Sequence, residues 1–529
     1  MQTTCGTQQK LAVCIFISSS QLNSSPLTNE VISQKQLCMS MFVLGVIGLC
    51  DVETIPPTLI NHINMTSITT TQYQANHTTS THHPEFQNDP FEPDLTSEQQ
   101  QRDRFFDPWR VPSTKPAALL VTSVIQQIAS YEIAQGIRER RRSIKQSGNH
   151  DLAVTSIVCD LLHYAVSGHT GGIAISRSHR LTTTKSRYRP AYIGKTLPNI
   201  LDTMASDDLL FIRQEIGHEA WTSDRHQLTK IYPGEGLMRL MERHDIKPEH
   251  IRFKPPRECI VLKSAKEGYW DNSQPIEYND TNQTHTFRSE VQLINDWIGG
   301  AKIDYLPHGP EEEIKIDTTD RHLRRIFTYE KFDSGGRLFG GFWQGMRKED
   351  RKGIIIEGEP ACELDYKQIA PRILYGVAGA KPPDGDLYDI PQFRNDPLKS
   401  VYRDGFKTLL NTLLFIDKPI KSKPKNTSHL LPSSYSVQDL AEMLRSYHQP
   451  IAPYFERGIG HYLQFLESQI LIDVLMRLRD RGIVALPIHD AILIPASRVI
   501  ESGDVMKTTF YDHTGVSITL SLSNYDMSH

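Results

Sequence analysis

Residues Glu363–Arg372 read Glu-Leu-Asp-Tyr-Lys-Gln-Ile-Ala-Pro-Arg: a strand with apolar flanks ends on one carboxylate, Asp365, and runs straight into a helix. Further along, Ala485–Ile494 forms a tight apolar hairpin with a second carboxylate, Asp490, at its tip. Between the two lies Arg403-Asp404-Gly405-Phe406-Lys407, whose two cations stand four residues apart and share one helical face. Two acids able to share metal ions, with a cationic helix face between them in sequence, are what phosphoryl transfer from a nucleoside triphosphate needs. The order of acid, cationic helix and acid calls for a sheet that brings two strand ends together, and so for an α/β fold.

The rest of the chain bounds this reading. Its 529 residues are enough for two or three domains. Lys and Arg total 58 against 62 Asp and Glu, so net charge alone does not announce a nucleic-acid binder. The charge is uneven, however. Residues 1–100 hold 2 basic and 8 acidic side chains, whereas 101–260 hold 24 basic and 17 acidic, which favours a polyanionic partner for that stretch. The seven cysteines show no Cys-x-x-Cys pair and no disulfide framework, as expected of a cytoplasmic protein. The apolar run Met39–Leu49 is too short to span a bilayer, and no membrane association is expected.

Residues 1–100 are rich in Ser, Thr, Asn and Gln and read as a disordered leader, with Met65 as an alternative start. Helical spacing runs over Ala117–Ile137 and is followed by the basic run Arg138–Arg142. Within 116–255, a helix at Ala153–Ala165 and another at Leu197–Ala205 precede a polar hairpin that returns through Gln227–Pro233. This order resembles a winged-helix module, in which the second helix enters a major groove and the wing meets phosphate; a purely structural helix–hairpin unit is the alternative. Residues 256–330 read as a connecting α/β region: a strand at Cys259–Lys263, a helix at Ser289–Ile298, a charged loop at Glu311–Glu313 and a helix or turn at Arg321–Arg325. Residues 331–529 hold the motif-bearing domain.

These motifs resemble those of the family A DNA polymerases. Asp365, Tyr366, Gln368, Ile369 and Arg372 match motif A, usually Asp-Tyr-Ser-Gln-Ile-Glu-Leu-Arg. Arg403-x-x-x-Lys407 resembles the start of motif B, and Ile488-His489-Asp490 resembles motif C. Upstream, Gly335-Gly336-Arg337 is similar to a Thr-Gly-Arg segment that holds the primer–template minor groove. The resemblance implies an α/β (α+β) right-hand palm with reduced helical fingers, acting as a template-directed DNA polymerase on a DNA primer–template and nucleoside triphosphates, as a monomer. It implies that Asp365 and Asp490 ligate two Mg²⁺ ions. Arg403 and Lys407 would then meet the triphosphate, with Lys407 a candidate for protonating pyrophosphate. Tyr366, Ala370, Asn411, Phe415 and Tyr388 would line the nucleotide site, and Arg337, Gly336, His489 and Arg372 would contact nucleic acid.

The departures from the family pattern leave the sugar open. Ala370 stands where the DNA enzymes carry a Glu that blocks a ribose 2′-hydroxyl, and in single-subunit phage RNA polymerases that place is also small. Asn411 replaces a bulky residue, whereas Phe415, in place of Tyr, points towards deoxynucleotides. Ala491 replaces an auxiliary Glu, and Tyr388 stands where the family has a cationic His. The motifs are closely spaced, 42 residues from Asp365 to Lys407 and 83 from Lys407 to Asp490, so the fingers should be small, with Lys418–Lys425 as a template contact. No convincing Asp-x-Glu constellation precedes residue 330, so no proofreading exonuclease is expected. Two alternatives stay open: a primase-like or RNA-synthesising enzyme on the same palm, and a non-catalytic winged-helix DNA-binding protein.

Overall fold

Apolar periodicity gathers into two hydrophobic cores, one built from Ala117–Ile251 and one from Cys259–Ile518. The computed structural model describes residues 103–524 apart from 168–170, 179–184, 218–226, 255, 257, 267–272 and 308–315. The leader, the loop at Glu311–Glu313 and the tip of the predicted wing lie outside the described residues.

The first region opens with β1 (Arg104–Phe105), β2 (Arg110–Pro112) and α1 (Lys115–Ala134). Helix α2 spans Ile144–Val166 and starts nine residues before the predicted one, because Ser143 and Gln146 close a reciprocal cap there. Then follow β3 (Ile173–Ile175), α3 (Leu197–Met204), β4 (Ile212–Glu215), β5 (Thr229–Pro233), α4 (Glu235–Arg243) and β6 (Ile251–Phe253). The sheet order is β1-β3-β5-β4, antiparallel except for the β1–β3 pair; β2 pairs separately with β6. Helix α1 is long and apolar enough to cross a membrane by length and composition. Here it is a core helix, with Ala117, Leu120, Val121, Val124 and Ile128 buried. The basic run after it is partly internal: Arg138 and Arg142 both bind the buried carboxylate of Glu132.

The second region contains β7 (Ile260–Leu262), α5 (Asn282–Gly300), β8 (Ile303–Tyr305), β9 (Leu323–Phe327) and β10 (Gly335–Gly340). Helix α5 starts seven residues before the predicted one, at the cap formed by Thr281 and Thr284. Arg321–Arg325, expected to be helix or turn, leads into β9, whose apolar Leu323, Ile326 and Phe327 fill the core between β7 and β10. Residues 256–330 are therefore not a connector in packing terms. They share one core with everything that follows, and β8 edges its main sheet.

That sheet is completed by β11 (Ile354–Ile356), β12 (Glu359–Tyr366), β13 (Leu486–Ile488), β14 (Ala491–Pro495) and β15 (Leu520–Asn524). Its order is β13-β14-β12-β11-β8, with β15 on the other flank of β12. Helices α6 (Ile369–Val377), α7 (Lys399–Phe415), α8 (Val437–Tyr447), α9 (Gly460–Asp480) and α10 (Val499–Thr514) complete the fold. Helices α9 and α10 pack on each other and α10 on β12. The result is a mixed α/β fold with several sheets and ten helices among the described residues.

Candidate active site

Alternation along β12 sends Glu363 and Asp365 to one face and Leu364 and Tyr366 to the other. Asp365 lies opposite Ala491 of β14, and the next residue back along that chain is Asp490. His489 and Asp490 are the two loop residues of the β13–β14 hairpin, between the paired Ile488 and Ala491. A two-residue hairpin favours positive φ, and His489 supplies it at 53°. The hairpin is pinned from outside, since the Trp343 indole and the Gln344 amide both donate to the Pro487 carbonyl, at 2.9 and 2.8 Å.

The sheet thus sets two carboxylates side by side. Burial, then the negative charges of Asp490 and Glu363, push the Asp365 carboxyl up to about 7; Lys348 and Lys407 offset only part of this. Glu363 itself is neutralised by Lys348 at 3.4 Å and Arg351 at 3.2 Å. Lys407 is exposed on α7 and its charge reaches Asp365, so the helix face that carries it opens on the carboxylates.

Arg403, one turn earlier on α7, is held in a network. Its Nε donates to Asp386 at 2.6 Å, and its guanidinium carbon lies 5.4 Å from the centre of the Tyr388 ring. Asp386 also accepts from the Gln368 amide at 2.6 Å and from the Tyr388 backbone at 2.9 Å. Gln368 adopts a left-handed conformation (φ 60°) at the start of α6, which turns its side chain from the strand towards Asp386. Tyr388 is buried, and burial raises its phenol pKa; the charges of Arg403, Asp386 and Asp490 also act on it. The region that follows motif A, the Asp386–Tyr388 segment and α7 therefore converge beside the two acids.

Several predicted site residues are placed differently. Tyr366 is in the core, on the face of β12 opposite Asp365, with its hydroxyl donating to the Met506 carbonyl at 2.7 Å. The Arg372 guanidinium is spent on internal acceptors: Ser517 O, Gln368 Oε1 and Gly385 O. Gly336 is buried rather than open to a ligand. Both Gly335 and Gly336 hold positive φ (74° and 78°) at a β-bulge, and a side chain at Gly336 would press on Phe327 and Ser468. Arg337 is half-buried and bound at both ends of its guanidinium by the buried Glu467 of α9, at 2.7 and 3.0 Å. Ala370 is half-buried in the first turn of α6, and Asn411 is half-buried one turn beyond Lys407. Phe415, at the end of α7, meets His461 edge-on at 5.1 Å, and His489 meets Phe339 edge-on at 5.7 Å. Lys423 of the basic loop is turned inward onto the Pro432 carbonyl, while Lys418, Lys421 and Lys425 are exposed.

Four residues of this site escaped the sequence reading: Glu363, Asp386, Gln368 as a hinge, and Glu467. Glu467 left a signal, as a lone acid within the apolar run of α9. Burial raises its pKa, against the pull of Arg337. The fully buried Arg325 completes the frame by donating to Gly336 O, Ser468 Oγ and Gln469 Oε1. A separate cleft of about 460 Å³, lined in part by Trp297, Glu359 and Arg498, opens at the far ends of the same strands and shares no residue with this site.

No family model matches the chain, and no curated protein does. Among solved structures it is similar to the POL domain of Pol1 from M. smegmatis in complex with DNA primer-template and dNTP. The identity is 11% over 78% of this chain and 66% of that one, with a TM-score of 0.27. The likeness is loose, and the functional reading below rests on this chain's own residues.

Proposed function

We propose that the chain is a template-directed nucleotidyltransferase, a DNA polymerase without a proofreading exonuclease, which uses two Mg²⁺ ions. The observation that carries this is the adjacency of Asp365 and Asp490, left uncompensated beside the cationic face of α7. Among the described residues no cluster of three or more His, Cys, Asp or Glu side chains gathers to hold a metal. Two carboxylates nevertheless suit Mg²⁺, which takes one or two such ligands and completes its shell with water and substrate phosphates. When bound, such ions would supply Lewis acidity to the attacking hydroxyl and the leaving pyrophosphate.

The chain's own groups would divide the remaining work. Asp365 and Asp490 hold the ions. Arg403, oriented by Asp386, presents its remaining donors to the triphosphate. Lys407 adds a point charge and can protonate pyrophosphate as the bond from the α-phosphorus breaks and the primer oxygen bonds to it. Ala370 offers a methyl group where a larger acid would exclude a 2′-hydroxyl, which favours tolerance of ribonucleotides and keeps RNA synthesis as a second reading. A winged-helix DNA-binding role draws less support, because the outward residues of α3 include Asn199 and Asp202 but no Lys or Arg.

The test is extension of a primed DNA template with Mg²⁺ by the full chain, offered deoxy- or ribonucleoside triphosphates, beside Asp365→Asn and Asp490→Asn. Extension should require both acids. Absence of extension with either nucleotide pool overturns the enzyme reading, and undiminished extension by the variants overturns the two-metal assignment.

A further inference from the structure

The turn between β9 and β10 is built against its own residue preferences. Lys331 N donates to Thr328 O at 3.2 Å, closing a four-residue turn whose central residues, Tyr329 and Glu330, have φ of 56° and 61°. Two successive left-handed positions are usually filled by Gly, Asn or Asp, because a Cβ is strained there. Here a tyrosine and a glutamate occupy them, and Glu330 N is tied to Lys263 O at 2.9 Å. Strained backbone of this kind persists where surroundings enforce it, and it concentrates at sites of function.

What the strain achieves is the placement of one ring. Tyr329 is 45% exposed, yet its inner edge rests on His461 with ring centres 4.5 Å apart. His461 in turn meets Phe415 at 5.1 Å, and Phe415 fits only because residue 460 is glycine; any side chain there would collide with its ring. The three rings form a ladder from the end of α7, through the start of α9, to the surface beside β10. The Arg337 charge reaches His461, which places the ladder next to the hairpin that bears that arginine. An exposed aromatic face, backed by two further rings and flanked by a guanidinium, is the arrangement on which proteins stack single-stranded bases.

We infer that Tyr329 is a stacking platform for an unpaired nucleobase of a bound template strand. The inference rests on the nucleic-acid-synthesising reading above and extends it to a residue that the motifs do not include. Stacking needs the ring and not the hydroxyl, so Tyr329→Phe keeps it. Tyr329→Gly removes the ring and at the same time relieves the backbone, so the variant should fold at least as well as the parent.

The test uses the full chain and a primed DNA template carrying 2-aminopurine at the first unpaired template position, without metal or triphosphate. Wild type and Tyr329→Phe should quench the probe equally. Tyr329→Gly should abolish quenching and bind about tenfold more weakly, with an unchanged dependence on salt and an unreduced melting temperature. A blunt duplex should bind both forms alike. Equal quenching by Tyr329→Gly and wild type overturns the platform, as does loss of binding that is accompanied by loss of folding. Because no extension is measured, failure of the polymerase reading would show separately, in the extension assay. Absence of binding to any of these DNAs would overturn both.

Discussion

Two groups of buried acids invite comparison. Where the first region meets the second, Asp160 is bound by Arg104 at 2.7 Å and approached by Arg110 at 3.5 Å. Asp317 accepts from His163 at 3.1 Å and from Arg110 at 3.3 Å. At the strand ends of the main sheet, Asp365 and Asp490 face each other with only partial relief from lysines. Burial alone would raise the Asp317 pKa, but its His163 and Thr319 hydrogen bonds and the nearby Arg110 hold it far below the carboxylate range. The Asp365 carboxyl moves the other way, up to about 7. A compensated cluster holds structure together, whereas an uncompensated like-charge pair costs stability and marks a place where chemistry supplies the missing positive charge.

The largest test of this contrast is activity. Asp365→Asn and Asp490→Asn should each lower extension by about 10³-fold or more in a primer-extension assay while leaving the protein folded. Asp160→Ala should do the converse. Leaving Arg104 without its main partner costs about 3–5 kcal/mol, read as a lower urea midpoint, with the turnover of the folded fraction unchanged. Lys407→Ala lies between these in kind, with a loss of about 10²-fold in kcat and no change in stability, since its side chain is exposed.

The smallest effect is the most specific, because the two clusters carry opposite pH signatures. The folded pKa of Asp365 is raised from 3.8 to about 7, so stability from this group is fully present below pH ~4 and is lost as pH rises through about 7. Asp317 is depressed, so its contribution is present above pH ~4 and is lost only in stronger acid. Asp317→Asn should therefore destabilise at pH 7 and do so less at pH 3. Asp365→Asn should stabilise at pH 8 by about 1–2 kcal/mol, discounted for partial exposure, and by little at pH 4.

The parts of this picture that sequence made legible are local. Asp365 at a strand end, Asp490 in a two-residue hairpin and the i,i+4 pair of α7 follow from alternation, turn length and helical period, each of which acts within a few residues. Partners distant in sequence were hidden. Nothing near Arg337 predicts that Glu467, 130 residues away, grips it, and Asp386 gives no sign that it orients Arg403. Tyr366 misled because motif resemblance carries no information about which strand face a side chain takes, and here the core claimed it. Arg321–Arg325 misled because three arginines hide a strand whose inward positions are apolar.

The central claim is that Asp365 and Asp490 are left unpaired in order to bind Mg²⁺. The melting temperatures of wild type and Asp365→Asn at pH 8, each without and with saturating Mg²⁺, test it most directly. The account predicts that the variant melts higher than wild type without Mg²⁺, and that added Mg²⁺ raises only the wild-type value. Equal stability without the ion, or the same Mg²⁺ response in both proteins, would contradict it.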